Sequence, residues 1–378
     1  MNRVGRGGGC GTWRAAVRPA RLAAACAAVA IVAACGGGPD PVDADPGGGP
    51  SARPLFATRL GETAEVYLAR PRDLWVEPGG DYLVSDAFFN RVVRFDRGGA
   101  PRAVYGAMGR GPGEFTQVGI VFSLDTLLVA TDYGRGVMNA FDPRTGAVRW
   151  QKPLEGIVTS ALRHGGEVWF GAQDMARRSA AIRWSPGTGE HAHVGALPAE
   201  YLRSPALAGI YTGGSVARWA DTVMVGMAGG RALRLYAVDG RALGGGVVVP
   251  ARRRRGVPAD VAARIEKLQF PEMFSLASVL FQLNRAPGGA FNLVHYDQEI
   301  EGRQVAARVW VSRLSPDRAR ACVDREVPVS RDAQPVTALR GDTLFVVEQA
   351  VDGEAAVTTL RAWLIGEAGC RWVPTERG

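Results

Sequence analysis

The sequence predicts an all-β protein, a single six-bladed β-propeller of four-stranded antiparallel blades, and three observations predict it. First, beyond residue 54 the chain returns six times to one phrase: an apolar approach, a Gly or Asp turn, a short strand, a variable turn and another strand. The copies begin at Leu74, Val121, Ser160, Val216, Leu283 and Val336, and their hairpin turns at Asp81, Asp125, Gly166, Asp221, Gly289 and Asp342 are spaced 44, 41, 55, 68 and 53 residues apart. Second, each copy alternates apolar and polar residues over four to eight positions rich in Val, Trp, Phe and Thr, as in Tyr82-Leu83-Val84-Ser85 and Leu344-Phe345-Val346-Val347. Third, one such sheet alone would leave both faces apolar, so the copies must stack and close into a ring.

The segments before the repeats are of another kind. Residues 1–34 hold five arginines (Arg3, Arg6, Arg14, Arg18, Arg21) and no acid, and end in the 13-residue apolar run from Leu22 to Ala34. A basic stretch before a run too short to span a bilayer reads as a cleaved export signal. The small residues Val32-Ala33-Ala34 before Cys35, with Gly36-Gly37-Gly38 after it, resemble the lipobox of bacterial lipoproteins. That resemblance implies acylation of Cys35 as the mature N-terminus, anchorage in the bilayer, and a place in the bacterial cell envelope. With no aspartate beside Cys35, sorting to an outer membrane is permitted where the cell has one. Residues 35–53, rich in Gly, Pro and Asp, read as a flexible tether, and 54–376 as the propeller.

The 378 residues are 47% hydrophobic and 22% charged, which excludes a chain disordered throughout. Their net charge of +8 suggests an anionic partner, but loss of residues 1–34 leaves 40 basic against 37 acidic groups, a net of +3, and no nucleic-acid partner is expected. The one dense basic patch, Arg252, Arg253, Arg254 and Arg255, reads either as a solvated loop or as a contact to lipid phosphate or an acidic partner. The segment from Gly256 to Leu268 carries Pro258 at a first helical position and Val261, Ile265 and Leu268 on one face, so a short amphipathic helix near 258–268 is expected before the fifth copy. It packs on the propeller rim or serves as a partner-binding arm. Outside the leader and its cut, two cysteines are left, Cys322 and Cys370, and an exported chain favours pairing them. Ring closure is expected to use a strand near Leu55–Leu60 or Glu65–Leu68 on the last blade, with Cys370-Arg371-Trp372-Val373 as that blade's outer strand.

The copy from Leu74, with Asp86, Asn90, Arg91, Phe95 and Asp96, and the loop GRGPGEF from Gly109 to Phe115, resembles six-bladed β-propeller proteins with NHL-type repeats. The likeness is strong over about residues 71–146 and implies fold rather than activity, since such propellers serve as scaffolds, receptors and occasionally enzymes. The loop itself has no phosphate-binding pattern and no lysine; its glycines suit positive φ in a turn between blades, with Phe115 as a buried anchor.

Candidate chemistry is sparse. Asp86, Asp132, Asp174 and Asp297 end the second strand of four copies. They read as turn caps or, with Asn90 and His295, as a channel ring; some propeller lactonases hold calcium with such residues. His191-x-His193 has two imidazoles and no cysteine close in sequence, among glycines that place it in a turn. His164 and His295 stand alone and read as turn or core histidines. No catalytic residue is assigned, and no cofactor is expected. The leading expectation is a monomeric, lipid-anchored binding or scaffold module for an envelope protein, peptide or glycan; the alternative is a metal-dependent lactonase, hydrolase or lyase with calcium in the channel.

Overall fold

A computed structural model describes residues 49–378 except 64–65, 175, 255, 259, 269, 274, 302–303, 331–334 and 353–354. The expected leader, Cys35 and most of the expected tether lie outside the described residues, as does Arg255.

Six antiparallel sheets follow in chain order. The first strand, β1 (Ser51–Arg59), belongs to the last of them. Blade one is β2 (Pro71–Val76), β3 (Tyr82–Asp86), β4 (Arg91–Phe95) and β5 (Pro101–Tyr105). Blade two is β6 (Val118–Leu124), β7 (Leu127–Asp132), β8 (Val137–Phe141) and β9 (Val148–Pro153). Blade three is β10 (Ile157–His164), β11 (Glu167–Asp174), β12 (Ser179–Trp184) and β13 (His191–Ala196). Blade four is β14 (Gly214–Trp219), β15 (Thr222–Met227), β16 (Ala232–Ala237) and β17 (Val247–Val248). Blade five is β18 (Val279–Arg285), β19 (Phe291–Glu301), β20 (Gln304–Leu314) and β21 (Arg320–Val327). Blade six is β22 (Val336–Arg340), β23 (Thr343–Asp352) and β24 (Ala355–Gly366), completed by β1. Each expected hairpin turn falls between the first and second strand of its blade.

Ring closure is the pairing of β1 with β24, from Ser51 opposite Gly366 to Arg59 opposite Thr359. Residues 51–53 are thus already strand. The C-terminal segment departs from expectation: β25 (Trp372–Pro374) pairs with β21 and adds a fifth strand to blade five, and β26 (Glu376–Arg377) does the same to β17 of blade four. The outer edge of blade six is taken by β1, so this segment pairs with the edges still open. Cys370 bonds to Cys322 on β21 with 5.5 Å between Cα atoms, tying β25 to blade five.

Strand alternation explains the stacking. In blade one Tyr82 and Val84 pack with Val347 and Leu360 of blade six, while Leu83 and Val92 pack with Val121 and Leu128 of blade two. The same division recurs around the ring, giving an apolar cluster at each interface between neighbouring blades. Sheets covered on both faces read as nearly continuous buried runs, as β3 does.

Among the described residues three short α-helices interrupt the pattern. The expected one is α2 (Val261–Ile265), with Val261 and Ile265 buried as predicted and Leu268 half-buried beyond its end. It lies with α1 (Pro205–Tyr211) against the interface of blades three and four. The helix α1 starts at Ser204, whose hydroxyl accepts from the Leu207 amide at 3.1 Å, with Pro205 at the first position, an N-terminal signal the repeat reading passed over. A single turn, α3 (Phe270–Met273), follows.

Removing the Cys322–Cys370 bond by Cys370→Ala should lower stability by about 4 kcal/mol or somewhat less, from the entropy of a 48-residue loop. Urea unfolding of the variant, and of the parent with and without reductant, measures this.

Candidate functional site

The acids that end the second strands cap turns. Asp86 accepts from the amides of Ala69, Arg70 and Phe88 at 2.8–3.1 Å, fastening the strand that enters blade one. Asp132 does the same for blade two through the amides of Thr116, Gln117 and Gly134, and pairs with Arg135 at 2.7 Å. Burial would raise its pKa, but the Arg135 bond and the amides prevail and hold it below the ordinary carboxylate range. Asp174 accepts from the Arg177 amide and the Ser179 hydroxyl. Asn90, at φ 51°, accepts from the Val118 amide of the next blade. The GRGPGEF loop likewise joins blades: Phe115 is fully buried, and Arg135 and Asn139 donate to the Glu114 carbonyl.

The channel is lined by other residues. A cavity of about 350 Å³ is enclosed by the first strands of all six blades, and none of Asp86, Asn90, Asp132, Asp174, His295 or Asp297 lines it. Asp86, Asp132 and Asp174 end second strands, Asn90 lies in the turn after the first of these, and His295 and Asp297 lie within β19, so none of them stands on a first strand around this cavity. Lining it are Asp73, Thr159, Ser160, Ser215, Gln282 and Asn284, with Trp75, Arg285 and Arg340 among the larger groups. Sequence reasoning missed them, although polar residues interrupt the apolar alternation at these first-strand positions. Most of them stitch one blade to the next. Asp73 accepts from the Val121 amide at 2.8 Å, Ser160 from Val216 at 3.2 Å, and Ser215 from Leu283 at 2.8 Å, while Gln282 donates to the Thr337 carbonyl. Desolvation by burial pushes Asp73 up to about 6, against the lowering by its amide bonds and Arg72.

A second polar cluster lies between blades four and five and joins residues far apart in sequence. Arg253 pairs with Asp297 at 2.8 Å, and its guanidinium lies 4.0 Å over the Trp310 ring. His295 stands opposite Trp310 and Leu280 in the sheet, on the face that packs toward blade four. Arg254 donates through Nε to the Arg231 carbonyl of blade four at 3.3 Å. Arg254 and His295 are buried, at 3% and 0% exposure, so these arginines are no solvated loop. Desolvation, then the positive charges of Arg254 and Arg253, hold the His295 pKa well below the ordinary histidine range, and the ring is neutral at pH 7.

The paired histidines also depart from expectation. His191 and His193 lie in β13, the outer strand of blade three, because the flanking glycines turn only at the strand ends. Folding brings two acids to His193: Asp174 Oδ2 is 2.8 Å from Nδ1 and Glu155 Oε2 is 2.7 Å from Nε2. Ser179 and Asp174 share the Nδ1 side, so no nucleophile faces the free end of an oriented imidazole. Among the described residues no group of three or more His, Cys, Asp or Glu is placed to hold a metal ion.

Asp132→Ala should cost about 3 kcal/mol, because it leaves Arg135 and three turn amides without their acceptor; chemical denaturation reads the loss. Asp73 gives a pH signature. The native carboxyl keeps its proton to about pH 6 while the unfolded one releases it near 3.8, so stability falls as pH rises between those values. Asp73→Asn, which keeps the acceptor for Val121, should remove that slope in melting curves taken from pH 4 to 7.

No protein-family model matches the chain, and no curated protein matches it in sequence. Solved structures do. A member of the DUF4221 family from Bacteroides vulgatus is 9% identical with a TM-score of 0.56, over 84% of this chain and 98% of that one. A protein from Bacteroides fragilis described as exported is 8% identical with a TM-score of 0.54, over 81% and 94%. A virginiamycin B lyase from Staphylococcus aureus is 11% identical with a TM-score of 0.49, over 82% and 98%. At these identities the likeness is one of fold, and the six-bladed propeller is the conclusion it supports.

Proposed function

We propose that the protein is a binding module of the bacterial cell envelope, held to the bilayer through acylated Cys35 and presenting the propeller channel and its mouth to a peptide, protein or glycan. The observation that carries this reading is the channel lining. All six first strands line one cavity, four of them contribute Thr, Ser, Asn, Gln and Arg to it, beside Trp75 and Leu283, and the carboxylate of the lining, Asp73, already holds a backbone amide. Hydroxyl, amide and guanidinium groups next to an aromatic ring suit hydroxyls and peptide groups, the guanidiniums by donating to their oxygens. The signal-like leader and the fold shared with a protein described as exported support the location.

The lactonase alternative drew on Asp86, Asp132, Asp174 and Asp297, which here hold turn amides, neighbouring side chains or, for Asp297, Arg253, so the binding reading rests on the firmer footing.

The test uses panels of envelope-derived oligosaccharides and peptides on the purified protein. Asn284, half-buried in the lining and outside the apolar clusters, is the place to block the channel. Asn284→Trp should weaken a captured ligand at least tenfold while melting as the parent does. A ligand unaffected by that block, or stoichiometric bound calcium with turnover of a lactone, would overturn the reading.

A further inference from the structure

The interface of blades four and five holds buried nitrogen donors without acceptors. Arg254 is 3% exposed, and neither Nη1 nor Nη2 has a hydrogen-bond partner among the described residues. His295, fully buried, likewise has no partner on either ring nitrogen among the described residues. Beside them, Trp310 Nε1 and Arg253 Nε are also unmatched. The second-strand face explains why they meet: His295 and Trp310 are register partners on the blade-four side of blade five, Arg253 lies on the Trp310 ring, and Arg254 is anchored to Arg231 across the interface.

This arrangement is unbalanced in charge. Arg253 has Asp297 as its counterion, whereas the group that acts against burial on the Arg254 pKa is the phenol of Tyr201, itself pushed up to about 12 and so uncharged at neutral pH, not a carboxylate. Burial lowers Arg254 to about 10, so it stays protonated at neutral pH. A buried, uncompensated guanidinium is strongly unfavourable, and its two free terminal nitrogens form a planar fork matched to two oxygens. The neutral imidazole supplies one more N–H.

We propose that Arg254 and His295 form a buried anion-binding site between blades four and five that takes a carboxylate group. It is separate from the channel, and it stands or falls independently of the binding function assigned there.

Sodium acetate is the probe, titrated into the purified full chain against sodium chloride at equal ionic strength. Acetate should raise the melting temperature saturably and move the ring signals of one of the chain's four histidines in nitrogen-detected NMR. Arg254→Met, which replaces the guanidinium by an apolar chain of similar length, should abolish both responses and lower acetate affinity more than tenfold without lowering the melting temperature in chloride. Should that variant fail to fold, His295→Gln serves in its place and should weaken acetate severalfold. Equal acetate responses in parent and variant, or none in the parent, would overturn the site. Sulfate or phosphate binding more tightly than acetate would overturn the carboxylate assignment.

Discussion

Every blade of this propeller is a sheet apolar on both faces, and that constraint governs the rest of the architecture. Because consecutive residues point to opposite faces, each strand supplies two interfaces at once, as Leu83 and Val84 do for blades two and six. No blade can be stable alone, and the ring must close. Closure falls to β1, which brings the start of the propeller to the end of it. Burying one Val, Leu or Phe is worth about 1.5–3 kcal/mol, so exposing one interface of a dozen such side chains would outweigh the loss of the disulfide several times over. The Cys322–Cys370 bond secures the added edge strand β25 rather than the ring.

The second tier is polar. Stacked first strands leave backbone groups near the axis that no ladder satisfies, and short polar side chains reach across to them. Asp73, Ser160, Ser215 and Gln282 each bond to the backbone of the following blade. Asp86 and Asp132 repeat the device one strand outward, where the chain enters a blade. Much of the polar inventory near the channel is therefore committed to structure. Asn284 lies outside this network, and a ligand would meet such groups first.

Two other arginines of the described residues show how such a charge is held. Arg313 is held by Asp342 at 2.6 Å, Glu367 at 3.1 Å and the Asn292 side-chain Oδ1 at 3.1 Å, and Arg135 by Asp132 and three loop carbonyls. Against these two, the free fork of Arg254 stands out among the described residues, and so does the buried His295 of the same interface.

The six copies, their hairpin turns, the apolar alternation and the helix around Val261 and Ile265 were legible in the sequence, because period and turn chemistry are local properties. Pairing of Cys322 with Cys370 and closure near Leu55–Leu60 also followed from local reasoning about an exported ring. The site was far less legible. Sequence singled out Asp86, Asp132, Asp174 and Asp297 by their recurrence, yet for the first three that recurrence marks a shared turn, as the hydrogen bonds bear out, and Asp297 lies within a longer second strand. The channel residues lie on first strands, whose distance from the axis is set only when six sheets close. Asp297 was joined to the arginine run, and Asp174 and Glu155 to His193, by contacts across blades or between distant strands. Sequence by itself determined the repeat and the sheets; which side chains meet was decided by the tertiary structure, because ring closure sets which strand faces the axis and which faces of neighbouring blades are pressed together.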